Sequence, residues 1–306
     1  MSNYIIGIDG GGTKTLGVLW DQNGNELKRY QTGFSSFVID DALTRKHLED
    51  TIENLKEGIE GNFTIIMGVA GYSVLKDETE YVKYLEEKYN ATVKITSDGY
   101  LALYSVVENP EEPVIMIIGG TGSIVYSLVD EKVEKMGGFG HLLGDEGSAY
   151  HLVIESFKYM VKYYEAHGYL DHFGQEMFRR LNIEKLDDLK PLVYGVNKSN
   201  IARHAINVSS IAEQGNKVAI DLLKTEGESL AIQVINMYNK IKVDERVILA
   251  LRGGFLNNVS YVKNSLIDTL NQHNINYVVD VNNNEPIMGA YYLALRSINS
   301  KWKEEQ

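Results

Sequence analysis

The sequence contains no cysteine, which excludes disulfides, thiolate-held iron–sulfur clusters and cysteine zinc sites together. Proline is nearly as scarce, 4 residues in 306, so a Pro-rich linker protein is excluded, while 28 glycines point to many tight turns. No apolar run approaches the ~20 residues needed to cross a bilayer. The start, MSNYIIGIDG, lacks a basic segment ahead of an apolar one and does not read as a secretory signal. Positive charge is also in short supply: 30 Lys and Arg against 42 Asp and Glu leave a formal net charge of −12. A nucleic-acid binder would ordinarily carry a basic face, so that class is not expected. A nucleotide remains compatible, because backbone N–H groups in glycine turns hold phosphates without lysine or arginine. The expectation is a soluble, cytoplasmic protein with no membrane and no nucleic-acid partner. Its 306 residues, 44% hydrophobic, suffice for two moderate domains.

What is present is a pattern that occurs twice. Tyr4 to Asp9 reads as a buried strand, Gly10 to Gly12 as a turn, and Thr15 to Trp20 as a second strand. Asp21-Gln22-Asn23-Gly24 turns the chain into a third strand near Glu26 to Gln31. Helical patterns near Leu43 to Gly58 and Thr79 to Tyr89 alternate with strands Thr64 to Val69 and Val93 to Thr96, and a helix follows Asp98 up to Val107. Pro110 and Pro113 mark a boundary. Beyond it the opening returns about 110 residues later: strand Val114 to Ile118, glycine turn Gly119 to Gly122, strand Ser123 to Val129, turn Asp130-Glu131, strand Lys132 to Met136. That spacing suits duplication of a domain. Gly147 to about Lys240 is mainly helical. Strand Val247 to Leu251, the pair Gly253-Gly254, a helix near Tyr261 to Gln272, strand Tyr277 to Val279 and a last helix from about Glu285 to Ile298 complete the chain.

The sharpest chemical signal is GIDGGGTKT, Gly7 to Thr15. An Asp ends a strand, and three glycines let the backbone reach positive φ and approach a phosphate closely. The spacing is neither that of a P-loop nor of a dinucleotide fingerprint. Asp98, in TSDG, stands at a strand end. It reads from the residues alone either as a helix N-cap or as a general base. Asp145 and Glu146 read as the start of a helix, and His141 as a packed histidine.

The first hairpin, together with IGGTGS (Ile118 to Ser123), resembles the two phosphate loops of the actin, hexokinase and heat-shock ATPase superfamily. GGFGHLLGDEGSAY, Gly137 to Tyr150, is similar to the signature of the N-acetylglucosamine kinase-like branch, in the BadF/BadG/BcrA/BcrD ATPase family. That family also holds activating ATPases that bridge an iron–sulfur cluster through Cys, and the ROK sugar kinases carry a Cys-rich zinc motif. A chain without cysteine fits neither.

The resemblance implies an α/β fold of two actin-like (ribonuclease H-like) domains related by duplication, with a cleft between them. The first would span 1–110, with a final helix of about 285–306 packing back on it, and the second 111–284. It implies ATP and Mg²⁺, with Asp9 the metal residue. Gly11, Gly12, Thr13 and Lys14 would surround the β- and γ-phosphates, Thr121 and Gly122 form a second clamp, and Gly253 and Gly254 lie against the adenosine. Asp98 would be the catalytic base and a sugar contact, joined by Ser123, Ile124, Gly138, Phe139 and Asp145. Three departures are visible. Phe37 stands where the family commonly has a sugar-binding Asn, Phe139 replaces a Trp, and Arg252 replaces a small residue. The implied activity is transfer of the ATP γ-phosphate to the 6-hydroxyl of an N-acetylated amino sugar such as N-acetylglucosamine or N-acetylmuramic acid. A broad-specificity hexokinase or glucosamine kinase, a non-kinase ATP-dependent module, and a homodimer stay open.

Overall fold

The computed structural model describes residues 2–106, 112–243, 245–282 and 284–304. Three strands open the chain, β1 (Asn3–Gly10), β2 (Thr15–Asp21) and β3 (Glu26–Thr32). They are followed by α1 (Asp41–Lys56), β4 (Asn62–Val69), α2 (Glu78–Tyr89), β5 (Ala91–Ser97) and α3 (Asp98–Tyr104). The order restarts with β6 (Val114–Gly119), β7 (Ser123–Val129) and β8 (Lys132–Gly137). Six helices come next: α4 (Ala149–His167), α5 (His172–Leu181), α6 (Lys190–Val193), α7 (Lys198–Ala202), α8 (Ala205–Glu213) and α9 (Lys217–Ile241). The chain closes with β9 (Val247–Arg252), α10 (Gly254–Asn258), α11 (Ser260–Gln272), β10 (Tyr277–Val279) and α12 (Met288–Glu304). The expected helix end at Val107 and the boundary residue Pro110 lie outside the described residues.

The chain divides into two compact units, Met1–Pro110 with Val281–Gln306, and Glu111–Asp280. In the first, the sheet order is β3-β2-β1-β4-β5, and in the second it is β10-β9-β6-β7-β8, the same succession read from the other end. In each, the first three strands are antiparallel neighbours, and the two later strands run parallel to the first. Helix α12 packs on β1, β4 and α3 of the first unit.

Both sheets obey one logic. The central strands are covered on both faces, so they read as nearly continuous apolar runs, and the edge strands β3 and β8 stay largely exposed. Ile6, Ile8, Leu19, Leu48, Ile52, Ile65 and Met67 are fully buried in the core of the first unit. Phe173, Leu223, Leu230, Met237 and Leu249 do the same in the second. Each such side chain is worth about 1.5–3 kcal/mol of burial. The hairpin turns differ: Gly24 takes φ 83 between β2 and β3, whereas Asp130 and Glu131 at φ 48 and 62 form a two-residue turn between β7 and β8.

Candidate active site

In the first unit, the parallel register sets Gly10 opposite Val69 and Val69 opposite Ser97, so the carboxyl ends of β1, β4 and β5 share one edge of the sheet. That edge is where parallel α/β sheets take ligands. It carries Asp9 at the end of β1 and Asp98 just beyond β5. Between β1 and β2 the Gly11 N–H donates to Lys14 O at 2.9 Å and closes the hairpin. Ser35 N–H to Gly11 O at 2.9 Å, Ala70 N–H to Gly10 O at 2.8 Å and the Thr15 and Ser35 hydroxyls at 2.6 Å anchor it. Gly12, Thr13 and Lys14 remain exposed. None of Gly10 to Gly12 uses the positive φ that glycine permits. Glycine is needed at Gly10 for space, since a Cβ there would sit 2.9 Å from that of Ser35, while Gly12 leaves its backbone bare.

The electrostatics gather four groups. The Asp9 carboxyl is pushed up to about 6, first by lost hydration, then by the negative charge of Asp98, with Glu285 adding and Lys14 opposing. Asp98 is also raised, by desolvation, with a partly offsetting hydrogen bond from the Gly99 N–H at 2.9 Å. The residue opens to solvent, yet the protein packed around its carboxylate displaces enough water for burial to dominate. Capping of α3 falls to Ser97, whose Oγ accepts from the Tyr100 N–H at 3.1 Å. Asp98 is therefore not the N-cap. Among the described residues no cluster of three His, Asp or Glu side chains could hold a metal ion unaided.

Phe37 requires a correction. It is 6% exposed and belongs to the core with Ile8, Leu48 and Phe63, so its ring does not present a face to a ligand. Its chain position is held by its N–H donating to Ala70 O at 3.1 Å.

In the second unit, Ile118 on β6 faces Arg252 on β9, which brings the two glycine signals together. Gly253 has φ 96, and a Cβ there would lie 2.6 Å from the Gly119 carbonyl carbon, so only glycine fits. The hairpin is closed by the Gly120 N–H to Gly122 O at 2.9 Å and tied to α4 by the Ala149 N–H to Gly120 O at 2.9 Å. Beside it opens a cavity of about 660 Å³, lined among others by Gly120, Thr121, Ser199, Arg203, Glu213 and Gly254. This volume suits a ligand of nucleotide size. The long side chain of Arg252 is accommodated by a 2.5 Å ion pair with the buried Asp280.

The segment after β8 also departs from expectation. Asp145 and Glu146 do not begin a helix: Asp145 takes φ 71 in a turn, and α4 starts at Ala149, capped by Ser148 Oγ accepting from the His151 N–H at 3.2 Å. Asp145 is 5% exposed, accepts from the Ser123 N–H at 3.1 Å, and pairs with the Lys198 ammonium. Ser123 Oγ donates to Glu146 O at 2.7 Å, and the Gly147 N–H donates to Glu226 at 2.7 Å. Gly138 at φ 72 packs on Ile124 with no room for a Cβ, which would be 2.5 Å from Ile124 Cδ1. Phe139, Leu142 and Leu143 are exposed. His141 is exposed, with its ring 4.7 Å from that of Tyr150.

The model of the BadF/BadG/BcrA/BcrD ATPase family matches residues 6–294. The chain belongs to this family. It is 27% identical to the N-acetylmuramic acid/N-acetylglucosamine kinase of Clostridium acetobutylicum, over 95% of this chain and 98% of that one. It is 28% identical to the N-acetyl-D-glucosamine kinase of Dictyostelium discoideum, over 97% of this chain and 99% of that one. Among solved structures, a Chromobacterium violaceum protein proposed to be an N-acetylglucosamine kinase superposes with TM-score 0.71 at 21% identity, covering 94% of this chain and 97% of its own. That likeness carries the fold.

Within this family member, Asp9, Lys14 and Asp98 share one edge of the first unit. Thr121, Gly122, Ser123, Asp145, Gly253 and Gly254 share one face of the second. Four further residues join them without any motif in the sequence: Lys198, Arg203, Glu226 and Glu285. A signal existed for Glu226 alone, an acidic residue within the apolar spacing of a long helix.

Proposed function

We propose that this chain is an ATP-dependent kinase of N-acetylated amino sugars, N-acetylglucosamine or N-acetylmuramic acid, acting on the 6-hydroxyl. The observation that carries the reading is the acidic edge of the first sheet, where Asp98, with its carboxyl raised by desolvation, stands beside a glycine hairpin bearing Lys14. The cavity joining Thr121 to Gly254 and the kinase names of two full-length relatives support it.

A sugar hydroxyl is a poor nucleophile. Asp98 orients it and takes its proton as the new O–P bond forms and the bond between the β,γ-bridging oxygen and the γ-phosphorus breaks, releasing ADP. The N–H groups of Gly12 and Thr13, with the Lys14 ammonium, receive the β- and γ-phosphates on a turn that the Gly11 N–H closes, and Thr121 and Gly122 form the second phosphate clamp. Gly254 leaves its backbone bare for the adenosine, and Gly253, packed on Gly119, sets the turn that presents it. Ser123, Ile124, Gly138, Phe139 and Asp145 form the sugar side, while Phe37 stays in the core of the first unit. The excess of carboxylate that raises Asp9 fits a divalent cation: Mg²⁺, held by Asp9 through water, would neutralise phosphate charge.

The test is phosphate transfer from ATP to glucose, glucosamine, N-acetylglucosamine and N-acetylmuramic acid, with the product position read by NMR. An N-acetylated sugar should lead glucose in kcat/KM by about 100-fold or more. Hydrolysis of ATP indifferent to every sugar would sink the proposal.

A further inference from the structure

We propose that Lys198 is a phosphate-contacting residue of the nucleotide site, and that Asp145 is the positioning residue that holds its ammonium on the second hairpin. The inference rests on the kinase reading and adds a residue and a charge to it. Its first support is contact. A Cβ built on Gly122 would lie 2.5 Å from Lys198 Nζ and 2.8 Å from Asp145 Oδ1, so the ion pair lies directly against the hairpin backbone.

The second support is placement along the chain. Lys198 opens α7, and the residues after it, Ser199, Ala202 and Arg203, line the 660 Å³ cavity that Gly120 and Thr121 also line. The ammonium lies against Gly122, the residue that follows the cavity-lining Thr121 in the hairpin. The third is the construction of the pair. Asp145 is 5% exposed, tethered by the Ser123 N–H, and held at φ 71, a conformation unusual for a residue other than glycine. Lys198, by contrast, keeps 26% of its side chain exposed, and an ammonium has three donors of which Asp145 occupies one. A fixed buried carboxylate thus aims a partly open cation.

Charge gives the reason. The first hairpin brings its own cation in Lys14, but IGGTGS has none, in a chain of net charge −12. A lysine presented beside bare backbone N–H groups is a common solution for phosphate.

The test compares wild type with Lys198→Ala, Lys198→Arg and the double variant Asp145→Asn/Lys198→Ala, by calorimetric binding of ATP and of AMP and by KM for ATP and for sugar. Lys198→Ala should weaken ATP about tenfold or more while AMP changes less than about twofold, and Lys198→Arg should recover part of the loss. The double variant separates a purely structural pair, because it leaves no buried charge uncompensated. ATP affinity should stay weak in it; recovery to the wild-type value would overturn the proposal, as would unchanged ATP binding in a folded Lys198→Ala protein. A wild-type protein that binds ATP more tightly than AMP but phosphorylates no sugar would sink the kinase reading and leave the Lys198 contact standing.

Discussion

Asp9, the residue proposed to hold Mg²⁺, shows what a buried carboxylate costs a fold. Its carboxyl titrates near 6 because neighbouring acids and lost hydration penalise the charged form. A group whose folded pKa lies above its unfolded value near 3.8 favours the native state at low pH. That contribution declines as pH rises from about 4 through 6, and the full penalty, on the order of 3 kcal/mol, applies above. Asp9→Asn should therefore raise Tm by several degrees at pH 7 without added divalent cation, with the gain fading toward pH 4, and should abolish turnover. Thermal scans across that range check it; equal Tm values at pH 7 would contradict the account. Phe37 teaches a different lesson at the same scale. Its position in the chain aligned it with a sugar-binding residue, but the side chain points into an apolar core that a single sequence does not display.

Among elements, strands and their turns were legible because burial on two faces leaves unbroken apolar runs and because turns demand Gly, Asp or Asn. The acidic pair Asp145-Glu146 imitates the first turn of a helix, and only Ser148 carries the cap, so the start of α4 was displaced. What holds that turn is Glu226 on α9, 1% exposed, which accepts from the Gly147 N–H and pairs with His151 Nδ1 at 2.9 Å. The His151 imidazole is raised above its ordinary value, chiefly by that hydrogen bond against the cost of burial, with Glu226, Glu155 and Glu146 all facing it. The pair's contribution is complete below about 6.5 and declines as pH rises through the raised pKa. Glu226→Gln should lower Tm at pH 6 by several degrees and flatten its fall between pH 6 and 8. An unchanged slope in the variant would show that the pair does not titrate with folding.

Over the whole molecule, one sheet order appears in both units, and the recurrence of strand, glycine turn, strand in the sequence was its visible trace. The two glycine hairpins could be read because short-range spacing defines them, whereas the role proposed for Asp98 came from the family resemblance, its own residues fitting a helix cap as well. Lys198 could not, since its partner Asp145 is 53 residues away and α7 carries no motif. Contacts of that kind come from tertiary packing. The proposed chemistry nevertheless turns on one carboxylate, Asp98. The most direct measurement is phosphate transfer from labelled ATP to N-acetylglucosamine by wild type and Asp98→Asn, alongside sugar binding by calorimetry. The account predicts a loss of turnover of about 100-fold or more with sugar affinity kept within about tenfold. An Asp98→Asn enzyme that turns over at the wild-type rate would contradict it.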